Sequence, residues 1–492
     1  MMKKVIGIIY IFCILMLGST AHGANECAST LSDDLKLHIP VVIFSGSLYS
    51  LDLEYDSTHD GFFWFKYNSS AISTLSGCSN PASLFFDAGK IILRVPMIFW
   101  DTTPLWLEYE YVSATDGLIL FKVTNGNLMS NWVFVTSVTG NGNLGSWADA
   151  GGKTGIDAGD AICEARADAA GLNGTFKAWL SDDNNDAYCR IHNLTGKKSD
   201  NCGQTILPVA AGPWVRTDGF PFGETIDQLL NNGKVYAPVR YDEFGHIGSI
   251  KVYYTNTDIN GVLSTSYASP CSNWHSSTQD IIFMGHSDIT SYSWTAVSSF
   301  YGCDWDVSLL CFQTGVRPSL PNFSSAGKKV FVTSVTGNGN LSSWPNAGGK
   351  MGIEAGDAIC QARAQNAGLT NAHRFKAWLS DSTTNAIDRI TSNGPWVRLD
   401  GVKIADSKSN LTDGSLFTSI NLIETGIYRG YLDVWTGTGS NGNKSIETCN
   451  NWTDGTSIFK GLAGRTVYAS NWWTDAYSDS CDYGLPLFCF ED

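Results

Sequence analysis

Residues 133–172 read VFVTSVTGNGNLGSWADAGGKTGIDAGDAICEARADAAGL, and residues 330–369 read VFVTSVTGNGNLSSWPNAGGKMGIEAGDAICQARAQNAGL; 32 of the 40 aligned positions are identical. Self-similarity over such a length marks one structural unit used twice. The match continues outward with small offsets. FKAWLSD at Phe176–Asp182 returns at Phe375–Asp381, and GPWVR at Gly212–Arg216 returns at Gly394–Arg398. The Cys-x-x-Trp of Cys271 and Trp274 returns at Cys449 and Trp452, and a closing Cys-x7-Cys-Phe occurs at Cys303–Phe312 and at Cys481–Phe490. Residues 131–313 and 330–492 are therefore read as two copies of one domain. The stretch 314–329, with Pro318, Pro321, Ser324 and Ser325, is read as a linker.

In the second copy the run Ala358–Ala367 places Ile359, Cys360, Ala364 and Ala367 on one face at helical spacing. Glu354 or Asp357 is the expected N-cap, and Gly368 the glycine that ends the helix. Short strands and loops rich in Asn, Gly, Ser and Thr follow. One helix on a loop-rich β framework predicts a mixed α+β domain.

Working back towards the start, residues 24–130 hold a weaker duplication. LKLHIP at 35–40 matches IILRVP at 91–96, LEY at 53–55 is matched to LEY at 107–109, and Asp60-Gly61 matches Asp116-Gly117. Apolar–polar alternation and Asp-Gly turns predict a small all-β domain of two related halves. Before it, Lys3 and Lys4 precede an apolar run from Val5 to Gly18 and a small-residue stretch to Ala24, the pattern of a secretory signal peptide over residues 1–23. The run is too short for a membrane span. Removing it takes Cys13 with it and leaves an even number of the 13 cysteines, so the expectation is a secreted or cell-surface protein, or a periplasmic one, held by disulfides. The formal charge of −15 on 492 residues, with 16% charged side chains, lacks the basic footprint of a nucleic-acid binder, and no later stretch reads as a membrane span. The acids concentrate ahead of the second copy, which is itself nearly balanced.

The series GDAICQARAQNAGLTNAHRFKAWLSD, VWTGTGSNGNKSIETCNNWTDG and SCDYGLPLFCFED resembles the endostatin domain of basement-membrane collagens, and among such proteins the bacterial endostatin-like secreted family. The resemblance covers both copies and implies two C-type-lectin-like domains, preceded by the small all-β domain. It also implies nested disulfides, first cysteine to fourth and second to third: Cys163–Cys311 with Cys271–Cys303, and Cys360–Cys489 with Cys449–Cys481. Spacing alone leaves dozens of pairings open. Cys189 and Cys202 lie in an insertion that the second copy lacks and most simply pair with each other; Cys27 and Cys78 are left to pair in the N-terminal region.

Chemical motifs do not lead to an enzyme. Gly140–Gly145 matches G-x-G-x-x-G, but the second copy has Ser342 at the last glycine, and a glycine turn is the plainer reading. Nucleophile-elbow, zinc-helix and EF-hand patterns are missing from the sequence. The zinc-binding histidines of vertebrate endostatin have no match, since residues 133–157 and 330–354 contain no histidine, and no metal or other cofactor is expected. Calcium is kept as an alternative, because Asn450, Asn451 and Asp454 near Trp452 carry suitable oxygens; loop hydrogen bonding is the ordinary role of such residues. Asp182, Asp183 and Asp186 read as solvated turns, because the second copy keeps only Asp381 of that cluster.

Four tryptophan pairs are matched between the copies: Trp179/Trp378, Trp214/Trp396, Trp274/Trp452 and Trp294/Trp472. Shared positions usually serve a shared core. Trp435, Trp472 and Trp473, on Gly/Ser/Asn-rich segments, are the expected surface anchors, since tryptophan is enriched at binding hot spots. The resulting expectation is a secreted or surface-exposed, non-catalytic, adhesin-like protein that recognises extracellular proteins. A lectin-like glycan binder and a structural envelope component are the alternatives. The candidate ligand residues are Trp435, Asn450, Asn451, Trp452, Asp454, Trp472 and Trp473; the oligomeric state is left open.

Overall fold

The computed structural model describes strands within residues 30–125 and nearly all of residues 130–492, apart from short stretches at 171, 173, 232, 249–251, 267–268, 279–280, 298–301, 318–319 and 321–322. The leader, Cys27, Cys78 and most of Pro318–Pro321 lie outside the described residues. The chain divides into two compact units, Met1–Met129 and Ser130–Asp492.

In the first unit the described segments are β1 (Thr30–Leu31), β2 (Lys36–Phe44), β3 (Ser47–Asp56), β4 (Gly61–Asn68), β5 (Ala82–Asp87), β6 (Lys90–Trp100), β7 (Thr103–Val112) and β8 (Gly117–Asn125). They form one sheet in the order β4-β3-β2-β5-β6-β7-β8, with β1 on β2. The duplication is written into the ladder register. Leu37 faces Leu53 and Val42 faces Tyr49 in the first half; Leu93 faces Tyr109 and Ile98 faces Leu105 in the second. Asp56–Gly61 and Val112–Gly117 close the two following hairpins alike. Both halves carry a register shift just after Ile39 or Val95, where Pro40 and Pro96 lack the N–H a regular ladder needs. The two LEY triplets are not equivalent: Leu53 corresponds to Tyr109, so the sequence match at that point slips by two residues. The halves join through a parallel pairing of β2 with β5 at Val42 and Ala82.

The second unit holds both copies of the long repeat. The first contributes β9 (Asn131–Val135), β10 (Phe176–Ala178), β11 (Trp214–Arg216), β12 (Pro221–Gly223), β13 (Val252–Tyr254), β14 (Met284–His286) and β15 (Ser308–Gln313), with one long helix, α1 (Gly155–Ala169). The second contributes β16 (Lys328–Val332), β17 (Phe375–Ala377), β18 (Trp396–Val397), β19 (Lys403–Ala405), β20 (Asp433–Trp435), β21 (Lys460–Arg465), β22 (Tyr477–Ser480) and β23 (Phe488–Glu491), with helix α2 (Gly352–Asn366). This is a mixed α+β arrangement. In the first copy the sheet runs β12-β11-β9-β15-β13-β14, with β10 on β15; in the second it runs β17-β23-β16-β18-β19, and β20-β21-β22 form a separate sheet. The separation has a local cause. Where Ser308 continues the ladder from β15 to β13, the second copy has Pro486, which offers no N–H, and only a single bridge remains between Trp435 and Leu487.

Each copy has a core on both faces of its sheet, and period-2 alternation sorts the side chains. Val133, Val135, Leu310 and Phe312 face one core with Trp179, Trp214 and Trp294, while Phe134, Leu309 and Cys311 face the other with the long helix. The same split divides Val330, Val332, Phe488 and Phe490 from Phe331, Leu487 and Cys489. That is why the closing Cys-Phe recurs: the cysteine meets the helix and the phenylalanine meets the tryptophans. The helices are further tied to the first strands by a buried glutamate. Arg166 Nε donates to Glu243 at 2.7 Å and Ser137 N–H donates to the same carboxylate at 2.9 Å; Arg363, Ser334 and Glu424 repeat this at 2.7 and 2.8 Å.

Helix α2 begins earlier than the sequence suggests. Its N-cap is Met351, without a side-chain capping bond, and Glu354 and Asp357 lie inside the helix. Asp357 instead accepts from Ala377 N–H at 2.9 Å and from Arg389 at 2.6 Å, joining the helix to β17. Gly368 does end the helix, at φ +72°, a conformation that other residues adopt only with strain.

Among the described residues five disulfides are present: Cys163–Cys311, Cys189–Cys202, Cys271–Cys303, Cys360–Cys489 and Cys449–Cys481. They reproduce the nested pairing that the family resemblance implies, and the insertion carries its own bridge. The same insertion is pinned by His192, whose Nδ1 lies 2.8 Å from the Tyr188 carbonyl while Nε2 accepts from Ala211 N–H at 3.3 Å. This geometry requires a neutral ring, and burial lowers its pKa below the ordinary 6.5. The unfolded chain therefore binds the proton first as the pH falls, and stability is lost from about pH 6.5 downward. In thermal melts the decline between pH 7 and pH 5 is expected to be smaller in His192→Gln than in the parent protein; an equal decline would remove His192 as its source.

The two copies meet through equivalent elements. Ile289 and Tyr468 form an antiparallel bridge, Thr290 N–H donates to Val467 O at 2.9 Å, and Ala469 N–H donates to Asp288 O at 3.3 Å. Because Ile289 corresponds to Tyr468, this is an isologous, pseudo-two-fold contact within one chain. Polar groups fill the rest of the seam. Thr418 Oγ1 donates to Tyr236 O at 2.6 Å, Asn421 Nδ2 donates to Thr290 Oγ1 at 3.0 Å, and the rings of Phe220 and Phe417 stack at 5.3 Å. Both ends of the connector 314–329 are anchored: Arg317 N–H donates to Gly212 O and Ser325 N–H donates to Gly401 O.

Candidate functional site

The seam turn leads into a part of the second copy where large aromatic rings reach the surface as a group. On the β20–β21 ladder Asp433 lies directly opposite Arg465, and their side chains pair at 3.4 Å. Four rings surround that guanidinium. Its carbon lies 5.2 Å from the Tyr431 ring centre, 5.7 Å from Tyr468, 5.1 Å from Trp472 and 4.9 Å from Tyr477. Tyr468 and Trp472 are themselves 5.1 Å apart, and His286 of the first copy meets Tyr468 edge-on at 5.9 Å. Trp472 is 42% exposed and Tyr431 49%, while Tyr468 is buried against the seam.

The hydroxyls are fixed by acids. Tyr477 donates to Asp433 and, at 3.0 Å, to Asp479. Partial burial, followed by the charge of Asp433, pushes Tyr431 up to about 12, and the same causes raise Tyr477. Both phenols therefore stay protonated as hydrogen-bond donors across the physiological range. The outcome is a firm aromatic surface with polar edges, its one cation already balanced by carboxylates.

The structure places the sequence-derived candidates in different environments. Trp435 and Trp452 are wholly buried and Trp473 is 1% exposed, which corrects the expectation that Trp435 and Trp473 are surface groups. Trp435 donates to Gly337 O at 3.0 Å and Trp452 donates to Ser380 O at 2.7 Å. The pairing of Trp294 with Trp472 is also corrected. Trp294 packs on Trp179 at 5.0 Å and Trp473 packs on Trp378 at 5.0 Å, so Trp473 is its equivalent and Trp472 corresponds to Ser293. Of the three proposed surface tryptophans only Trp472 is one. Tyr431, Arg465, Tyr468 and Tyr477 were missed; the signal that could have found them is the contrast with the first copy, which has His286 and Ile289 in place of Arg465 and Tyr468.

Asn450 and Asn451 belong to a left-handed turn. Cys449, Asn450, Asn451 and Trp452 have φ of 48, 51, 58 and 62°, and Cys271, Ser272, Asn273 and Trp274 repeat it at 47, 52, 55 and 67°. Left-handed backbone costs about 1–2 kcal/mol per residue, least for Asn, and here a disulfide and a buried tryptophan hold it. Asn451 Oδ1 accepts from Ser382 N–H at 2.8 Å, tying this turn to the Asp381 loop, and Asp454 Oδ1 accepts from Thr456 N–H at 2.8 Å within its own loop. Asn451 also borders an open cleft of about 660 Å³ at the start of α2, lined by Gly349, Met351, Glu354, Asp381 and Thr453. Among the described residues no group of three His, Cys, Asp or Glu side chains is placed to hold a metal ion. Asp182 and Asp186 prove to be buried loop clamps rather than solvated acids: Asp182 accepts from Asn184 and Asn185 N–H, and Asp186 from Lys198 and Leu263 N–H.

No known family model matches the chain, and no curated protein does. Among the described residues no helix is long and apolar enough to cross a membrane.

Proposed function

We propose that this protein is an extracellular, non-catalytic, adhesin-like binding protein in which two endostatin-related, C-type-lectin-like copies form one rigid body. The observation that carries the reading is the exposed aromatic surface of the second copy, built around Arg465, on a frame whose shared tryptophans are buried. Tryptophan and tyrosine are costly to leave in water, and an exposed cluster fixed by a half-buried cation is a surface prepared for contact. The disulfides favour an oxidising compartment, in keeping with the leader-like N-terminus. Firm coupling of the copies through the seam fits a single preorganised surface better than two flexibly tethered ones.

The test is retention of extracellular glycoproteins and polysaccharides on the immobilised, oxidised mature protein. Enrichment that disappears after reduction of the disulfides is the expected result. If no protein or glycan were enriched, the binding reading would fail.

A further inference from the structure

Resting on that binding reading, we propose that Trp472 and Tyr431 form a stacking platform for a neutral saccharide, whose hydroxyls are met by the carboxylate of Asp479. The ligand class follows from how the platform is filled. A cage of four rings attracts cations, but its centre is occupied from within by Arg465, so a lysine or quaternary ammonium group has no place to enter. An anionic ligand is not favoured either. The positive charge faces Asp433 at 3.4 Å, and Asp479 stands beside it through the Tyr477 hydroxyl, leaving no excess positive charge for a sulfate or a carboxylate. What remains outward is the exposed area of two rings, the Tyr431 hydroxyl and the half-buried Asp479 carboxylate. A neutral sugar matches that surface, with an apolar C–H face for the rings and hydroxyls for the edges.

The first copy supplies an internal control. It folds to the same cores with Ser293, His286 and Ile289 where the second copy has Trp472, Arg465 and Tyr468, so the aromatic set is not a requirement of the fold. The large exposed ring was added to one copy on a turn the seam already holds. Its location is also separate from the Asn450–Asp454 loop, so binding should not depend on calcium.

The experiment is an oligosaccharide array probed with the full mature protein, carrying neutral hexose and N-acetylhexosamine oligomers beside sialylated and sulfated ones. Trp472→Ser and Tyr431→Ala are run alongside, with unchanged melting temperatures showing that each variant folds. Binding to neutral oligomers that survives a chelator and weakens at least tenfold in both variants is the expected result. Binding only to sialylated or sulfated probes, binding abolished by the chelator, binding unchanged in the variants, or no binding at all would each overturn the platform. Glycan-independent capture of extracellular proteins in the retention assay, with a blank array, would leave the binding reading standing and remove only this one.

Discussion

Replacing Cys360 and Cys489 together by alanine is expected to lower the unfolding free energy by about 4–5 kcal/mol by the chain-entropy model. The bridge joins helix α2 to the last strand across 129 residues, and both cysteines are wholly buried between them. Few of the intervening elements are long enough to persist alone, since β17, β18, β19 and β20 have two or three residues each. Without the bridge the unfolded chain regains the entropy of a long loop, while the native state gains nothing but a small cavity. The inner Cys449–Cys481 bridge spans 32 residues and should cost less, about 3–4 kcal/mol by the same argument. Denaturant titration of the oxidised protein against both double variants gives the comparison. A loss below about 1 kcal/mol for the long bridge would mean that the native contacts, not the cross-link, hold the second copy.

The second large effect is expected at the seam. Arg398 is wholly buried, and Asp400 is its charge partner, with Nη2 to Oδ2 at 2.8 Å and Nε to Oδ1 at 3.1 Å. Tyr428 donates to the same carboxylate at 2.7 Å, and the remaining guanidinium donors reach Asn421 Oδ1 at 2.7 Å and Ser419 O at 3.3 Å. In Asp400→Ala the guanidinium stays buried without its counter-charge, a situation that costs about 3–5 kcal/mol. Burial raises the Asp400 carboxyl, but the adjacent Arg398 charge and its hydrogen bonds outweigh this and hold it below its ordinary 3.8. Its contribution is therefore present above that value and lost as the pH falls through the lower, folded-state pKa. Chemical denaturation at pH 7 should show the full loss in the variant, and acid titration should show a smaller further decline than in the parent. A variant as stable as the parent at pH 7 would mean that water reaches Arg398 and replaces the carboxylate.

How much of this could be read beforehand depended on whether a residue's role is local. VFV and LLCF are apolar throughout, which marks short strands, but their two-faced cores emerge only from the packing on both sides of the sheet. The helix was legible in its body and its glycine stop but not in its start, because Met351 caps it with no side-chain signature. The register of the Trp472-Trp473 pair was misread because a loop differs in length by one residue, and only packing on Trp378 shows which ring is the counterpart of Trp294. The seam was invisible for a different reason. Thr290, Thr418, Ser419 and Asn421 are residues that usually face water, and here each is buried where the facing copy covers it. Trp472 was recognised by its loop composition, whereas Arg465, Tyr468 and Tyr477 share no motif with one another or with the distant Tyr431, and only the fold brings them together.

The long bridges also decide how the molecule would bear load. Cys163–Cys311 and Cys360–Cys489 short-circuit loops of 148 and 129 residues, so tension transmitted along the chain runs through sulfur and bypasses nearly all of each copy. At about 3.4 Å per residue, on the order of 900 Å of contour is thereby withheld from extension. Under a pull applied along the chain from outside these bridges, extension is confined to the segments they do not enclose. The platform around Trp472 lies inside a covalently closed loop, and would keep its shape under such a pull while segments outside the bridges extend.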